Sequence, residues 1–266
     1  MNSSDKNLLI DYKLELPESG DYIVLNGSPK RLLPKHLRDS IFIESKRMKM
    51  NRTVNKQGID LKAAQTAIRS VRLKVEDIAY KIQQPITVFL TCGTLLGWYR
   101  ENSIIPHTSD LDFAVKEEDL SNRSEEFIQH VESSFEMRDR IGFMNSSLEF
   151  RLTMPNVEFD LFIHYHDLND PQKRDYVPGF DFNNNQTVFW HSPHVKELCA
   201  GVLLQSLVYV PCNVEELLVA YYGNEWTIDC ETRKCNYRKD IITQRGQKYT
   251  KEQMKEVIKL PSRKST

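Results

Sequence analysis

Asp110 and Asp112 are separated by one apolar residue, and Leu111 and Phe113 alternate with them. On an extended strand residues i and i+2 share a face, so both carboxylates point the same way. Two carboxylates held that close repel unless a cation neutralises them. An all-oxygen ligand set with open positions suits Mg²⁺ or Mn²⁺, and the chemistry it serves is that of phosphate oxygens. Upstream, Gly93-Thr94 follows the apolar run Ile86–Leu90. A Gly-Thr turn after a strand can offer backbone N–H groups to a phosphate at a helix start, and Arg100 can add a bidentate fork. A third carboxylate completes such sites from a neighbouring strand. Asp160 in Glu158-Phe159-Asp160-Leu161-Phe162 is the candidate, with Glu158 on the same face as the alternative. Asp160 would either ligate the metal or act as the base that takes a proton from an attacking hydroxyl.

Other residues of chemical type read differently. Trp98 and Tyr99 could stack on a base but read as core aromatics. His164 and His166 share one strand face, as a His-x-His zinc site needs, but no third soft ligand is placed beside them by sequence, so they read as ordinary strand residues. His191 and His194 flank Pro193 in a long loop, within reach of a substrate.

The elements that must position these residues follow from periodicity. Apolar residues from Leu61 to Ile82 recur at helical spacing, giving an amphipathic helix over 59–83 that Pro85 ends. Ile86–Thr91 reads as a buried strand, Thr94–Arg100 as a short helix, Leu111–Val115 as a second strand and Glu117–Phe135 as a surface helix. Leu148–Met154 and Val157–His164 alternate around Pro155-Asn156, which predicts a hairpin. Residues 167–186 are polar and rich in turn dipeptides and read as a long loop. Asn213–Tyr222 is a helix with Asn213 and Gly223 at its ends. Residues 1–40 look irregular, and a short helix is expected near Lys251–Lys259. The expected fold class is α/β in the α+β sense: a mixed sheet forming a nucleotidyltransferase-like core, helices on the sheet and a loop-rich C-terminal part. The expected organisation is an N-terminal extension over 1–58, a catalytic domain over 59–230 and a basic tail over 231–266.

The chain has 266 residues, 36 basic against 37 acidic, and a net charge of −1. That balance argues against a nucleic-acid binder. No apolar run is long enough for a membrane helix, and the polar first thirty residues show no signal peptide. Of five cysteines, Cys92, Cys199, Cys212, Cys230 and Cys235, none has zinc-site CxxC spacing; Cys230 and Cys235 either close a small loop or stay as thiols. Asn-x-Ser/Thr sequons, among them those at Asn2, Asn51, Asn122, Asn145 and Asn185, exceed the roughly two expected from composition and hint at a lumenal life.

At these residues the chain resembles the fukutin and LicD family. The resemblance runs from about Gln65 to Trp226. It rests on Gly93-Thr94-Leu95-Leu96-Gly97-Trp98-Tyr99-Arg100, then Ile105-Pro106, Asp110-Leu111-Asp112 and Asp160-Leu161-Phe162. It closes with Val210–Leu218 and Tyr222-Gly223-Asn224-Glu225-Trp226. Bacterial LicD proteins usually carry further aspartates just before the Asp-x-Asp. Thr108 and Ser109 stand there in this chain, so it looks more like the fukutin branch. The resemblance implies metal-dependent transfer of a phospho-alditol from a CDP-linked donor, CDP-ribitol for the fukutin branch, to a glycan hydroxyl in protein O-mannosylation. Gly93, Thr94 and Arg100 would bind phosphate, and Asp110, Asp112 and Asp160 the metal. It also implies a glycoprotein acceptor, association with other glycosyltransferases and residence in the Golgi or ER lumen; the missing anchor by itself would read as cytoplasmic. The rival expectations are a non-catalytic scaffold of a glycosylation complex and a phosphocholine or nucleotidyl transferase.

Overall fold

The structure is a computed structural model that describes residues 58–228 and 244–261, Ile43, and the backbone of three short strands near the N-terminus. These strands, β1 (Leu14–Glu15), β2 (Tyr22–Leu25) and β3 (Ser28–Leu32), pair antiparallel within the stretch read as irregular. They are too short for a period-2 pattern to stand out. Cys230 and Cys235 lie outside the described residues.

Helix α1 (Leu61–Ile82) forms where the 3.6-residue pattern predicts it. The Asp60 carboxylate accepts from the Lys62 and Ala63 N–H groups at 3.0 and 2.9 Å, satisfying two donors that have no intrahelical partner. Gln83 closes the helix in the left-handed conformation. The face carrying Ala64, Ile68, Val71, Val75 and Ile78 is buried. After β4 (Phe89–Leu90), α2 (Cys92–Glu101) begins two residues earlier than the sequence suggests. Gly97 in α2 lets residues 103–105 fold back onto the helix, since a Cβ there would lie 2.8 Å from the Ser103 carbonyl.

β5 (Asp110–Lys116) leads into α3 (Glu117–Leu120) and α4 (Ser124–Ser134). One helix was expected over this stretch. It breaks at Ser121, which takes a positive φ of 48°. β6 (Glu136–Ile141), β7 (Glu149–Met154) and β8 (Val157–His166) follow, and β7 and β8 form the expected hairpin. The polar stretch after His166 is only partly a loop. It contains β9 (Asp175–Asp181), which pairs with β10 (Gln186–Ser192). Its side chains mix polar, aromatic and glycine residues, so no alternation announces it. β11 (Leu198–Leu203) and β12 (Ser206–Pro211) make a separate hairpin closed by a Cys199–Cys212 disulfide, a pairing the sequence did not signal. Then come α5 (Val214–Tyr222), β13 (Gln244–Lys248), α6 (Met254–Val257) and β14 (Ile258–Lys259).

The main sheet runs β13-β10-β9-β8-β7-β6-β14, with β5 pairing parallel to β8 and antiparallel to β4. The fold is α+β. Residues of the expected C-terminal tail supply β13 and β14 to this sheet. Leu111, Phe113, Phe159 and Leu161 alternate with the acidic residues of β5 and β8 and are all buried. Phe113 and Phe159 meet edge to face at 6.0 Å. Each ring buried this way contributes about 1.5–3 kcal/mol of transfer free energy. The core therefore anchors one face of β5 and β8, and the acidic residues are left on the other.

Candidate active site

Parallel register sets Asp112 beside Asp160 and Asp110 beside Glu158. On the other side of β8, Arg151 of β7 is the partner of Asp160, and Asp139 of β6 is the partner of Arg151. A row Asp112–Asp160–Arg151–Asp139 thus crosses four strands on one face. Asp110, Asp112 and Asp160 each offer a carboxylate oxygen, all within 4.8 Å of one another. Glu158 turns outward, its side chain 55% exposed and paired with Arg138 at 2.6 Å. Of the two candidates for a third carboxylate, Asp160 is the one brought to Asp110 and Asp112.

Electrostatics at this row are unbalanced. Asp160 is pushed up to about 9 by burial first, then by Glu149, Asp112 and Asp110, while Arg151 pulls it down. Arg151 does not neutralise the group fully, because its fork grips Asp139 with two 2.6 Å hydrogen bonds. Glu149, two residues before Arg151, is buried beside them and lines the same cavity. It was not singled out in the sequence. Its place in an alternating strand was visible, but not which strand it would sit beside.

The Gly-Thr turn meets Asp112 directly. The Thr94 N–H donates to Asp112 Oδ2 at 3.1 Å, and the Asp112 N–H donates to Thr94 Oγ1 at 2.7 Å. A Cβ on Gly93 would lie 3.0 Å from the same Oδ2, so a side chain there would press the carboxylate aside by a few tenths of an ångström. The helix start thus orients the carboxylate, and Gly93 faces the cavity beside it. Thr108 Oγ1 donates to Asp110 Oδ1 at 3.2 Å. Arg100 also lines the cavity, but its guanidinium donates to the Trp226 carbonyl at 3.1 Å, the Ile228 carbonyl at 3.3 Å and Glu101 at 2.8 Å. This ties α2 to the segment after α5. Trp98 is fully buried, with its N–H on the Val202 carbonyl at 3.0 Å, as a core aromatic should be.

The cavity above the carboxylates measures about 440 Å³. Its walls include His107, Phe162, Phe180, Phe182, Trp190 and Tyr222. Acidic floor and aromatic wall together make a space for a ligand with a flat ring, held by an oxygen-ligated cation at its phosphates. The donor set fits Mg²⁺ or Mn²⁺: three convergent carboxylates, one of which favours its neutral form unless positive charge is added.

A second titratable group lies behind the wall. His166 and His194 each place Nδ1 on Asp175 Oδ1, at 2.8 and 2.7 Å. Burial would raise the Asp175 carboxyl. His164, the Val195 N–H and His166 outweigh it and hold the carboxyl well below the usual range. Of the pair His164 and His166 singled out in the sequence, His166 is the one gathered with Asp175 and His194, which come from elsewhere in the chain. His191 Nε2 lies 3.4 Å from Asp167 Oδ2 instead.

The LicD/FKTN/FKRP nucleotidyltransferase domain matches residues 85–213, the stretch that holds the carboxylate row, the Gly-Thr turn and most of the cavity wall. An uncharacterized Caenorhabditis elegans protein is 28% identical over 90% of this chain and 67% of its own length. A second one is 34% identical over 56% of this chain and 40% of its own length. The human protein named ribitol-5-phosphate transferase FKTN is 26% identical over 55% of this chain and 31% of its own length. The last two matches thus span well under two thirds of the relatives themselves. The family match lies over the site itself: residues 85–213, just under half of the chain, are similar to the nucleotidyltransferase domain of the LicD/FKTN/FKRP family.

Proposed function

We propose that the chain is a metal-dependent phosphotransferase that moves a phospho-alditol, of the ribitol 5-phosphate kind, from a CDP-linked donor to a glycan hydroxyl in protein O-mannosyl glycosylation. The observation that carries this reading is the convergence of Asp110, Asp112 and Asp160 on the floor of an aromatic-walled cavity. The family and the printed activity of its fukutin members support it.

In this reading Asp110, Asp112 and Asp160 hold Mg²⁺ or Mn²⁺. The bound ion would supply charge neutralisation for the pyrophosphate and the CMP leaving group. Thr94 and Thr108 fix the directions of Asp112 and Asp110, and Gly93 keeps open the space above Asp112. Trp190, Phe180 and Phe182 offer flat apolar surface for the base and exclude water around the donor. The acceptor oxygen forms a bond to the alditol phosphorus as the bond from that phosphorus to the bridging oxygen breaks, releasing CMP. The hydroxyl proton passes to a carboxylate, for which Asp160, ionised when the cation is bound, is the candidate. The Cys199–Cys212 disulfide supports residence in an oxidising compartment such as the Golgi or ER lumen, where a glycoprotein acceptor and partner glycosyltransferases would be met. Among the described residues no helix is long and apolar enough to cross a membrane.

The test is a panel of CDP-linked donors (ribitol, glycerol, choline) incubated with an O-mannosyl glycopeptide, with and without Mn²⁺. CMP release that requires Mn²⁺ and is greatest with an alditol donor is the expected outcome. Absence of CMP release from every donor would overturn the enzymatic reading, and pyrophosphate release from a nucleoside triphosphate would redirect it to nucleotidyl transfer.

A further inference from the structure

Asp175 is almost fully buried, with a side-chain exposure of 3%, and both its oxygens are engaged. Oδ2 accepts the Val195 N–H at 2.8 Å and lies 3.4 Å from His164 Nδ1. Oδ1 is left pointing at His166 and His194 together. These two imidazoles are about a quarter exposed, at 23% and 27%, so the group opens to solvent on one side. Two imidazole nitrogens and one carboxylate oxygen lie within 4.8 Å of one another. They come from three segments: the end of β8, the start of β9 and the turn after β10.

This is the donor set of a zinc site with an open position: nitrogen ligands at about 2.0–2.1 Å, a carboxylate oxygen at a similar distance and water as the fourth ligand. The second layer that such sites use to fix the ligands is already built, since His164 and the Val195 N–H hold the far oxygen of Asp175. The two rings lie 4.2 Å apart, centre to centre. Neutral imidazole is the form that binds metal. A carboxylate oxygen only accepts, so in the metal-free chain Nδ1 carries the proton of each ring. On metal binding that proton moves to Nε2.

We propose that His166, Asp175 and His194 bind one zinc ion, which clamps β8, β9 and the 193–197 turn behind the cavity wall. The link to the cavity is short. His164 Nε2 lies 3.4 Å from the Tyr221 hydroxyl, and Tyr221 and Val177 both line the cavity. The ion is a brace: its soft imidazole ligands separate it from the all-oxygen set of Asp110, Asp112 and Asp160, which favours Mg²⁺ or Mn²⁺.

The experiment uses the full chain carrying Asp112→Asn, which removes the competing carboxylate site. After chelation the protein is titrated with Zn²⁺ and, separately, with Co²⁺. One tightly bound Zn²⁺ per chain, a rise in Tm and the strong visible absorption of four-coordinate Co²⁺ are expected. His166→Gln and His194→Gln, both at partly exposed positions, should each weaken Zn²⁺ binding by at least ~10-fold while retaining the circular dichroism of the parent. If either variant fails to fold, long-range ¹⁵N–¹H spectra of the parent decide: the Nδ1 resonances of two histidines should shift with the first equivalent of Zn²⁺. No bound Zn²⁺, unchanged affinity in both folded variants, or no histidine shift would overturn the site and leave a hydrogen-bonded His–Asp–His group.

Discussion

The carboxylate floor and the histidine group are both clusters of titratable side chains against the same sheet, yet their charge balance is opposite. In the floor, Asp110, Asp112 and Asp160 converge with Glu149 nearby, and Arg151, the cation in the row, is shared with Asp139. The group carries negative charge that the protein does not cancel, and this, added to the larger effect of burial, raises the Asp160 carboxyl. In the histidine group one carboxylate is surrounded by three imidazoles and a backbone N–H, and it stays ionised. An excess of carboxylates stores affinity for a hard cation that comes and goes with a phosphate substrate. A satisfied carboxylate with imidazole neighbours makes a rigid post. On the proposed reading, the difference separates a working site from a supporting one.

This comparison can be broken at several points. The largest effect is expected from Asp112→Asn, which removes the negative charge of a proposed metal ligand while the Asp112 backbone N–H keeps its hydrogen bond to Thr94 Oγ1. Mn²⁺-dependent CMP release should fall by more than the ~10–100-fold typical of losing a supporting hydrogen-bond partner at a metal site. Steady-state assays at saturating Mn²⁺ would check it. Next is Arg151→Gln, which leaves Asp139 buried without its fork. A loss of about 3–5 kcal/mol in urea unfolding is expected, partly recovered in the Arg151→Gln/Asp139→Asn double variant.

The third point is pH. The folded Asp160 carboxyl sits at about 9 against an ordinary 3.8, so between those values the folded chain binds more protons than the unfolded chain. Stability of the metal-free protein should therefore be greatest below about pH 4, as far as this group is concerned, and fall as pH rises toward 9, by on the order of a few kcal/mol. Asp160→Asn should flatten that slope, and saturating Mn²⁺ should do the same in the parent chain. Thermal melts across the pH range measure both. The smallest effect is expected from Gly93→Ala. Its methyl would crowd Asp112 Oδ2, and Mn²⁺ affinity should drop by about 10-fold with little change in Tm.

Much of the working site was legible because its parts are local in sequence. The alternation of Asp110, Leu111, Asp112 and Phe113 fixes which face the acids occupy, and the strand–turn–helix around Gly93 fixes what lies next to them. Asp160 was reachable because it alternates with Phe159 and Leu161 in the same way. The choice between it and Glu158 was not, since parity treats them alike and only the parallel register of β5 and β8 sets Asp160 beside Asp112. Glu149 and Arg151 were hidden for the same reason. Arg100 shows the opposite limit: its type suits phosphate, but its position at the end of α2 gives its donors to backbone carbonyls. The histidine group was illegible, because Asp175 and His194 come from β9 and the turn after β10, whose sequence carries no period, and only the fold brings them to His166. The disulfide between Cys199 and Cys212 also depends on a hairpin pairing that 13 residues of separation do not reveal.

The most direct measurement is a calorimetric titration of Mn²⁺ into the metal-free protein in the presence of a non-hydrolysable CDP-alditol, for the parent chain and for Asp112→Asn. The account predicts that the parent binds Mn²⁺ more tightly with the nucleotide than without it, and that Asp112→Asn loses both the binding and the coupling. Equal Mn²⁺ binding in the two proteins, or no dependence on the nucleotide, would contradict it.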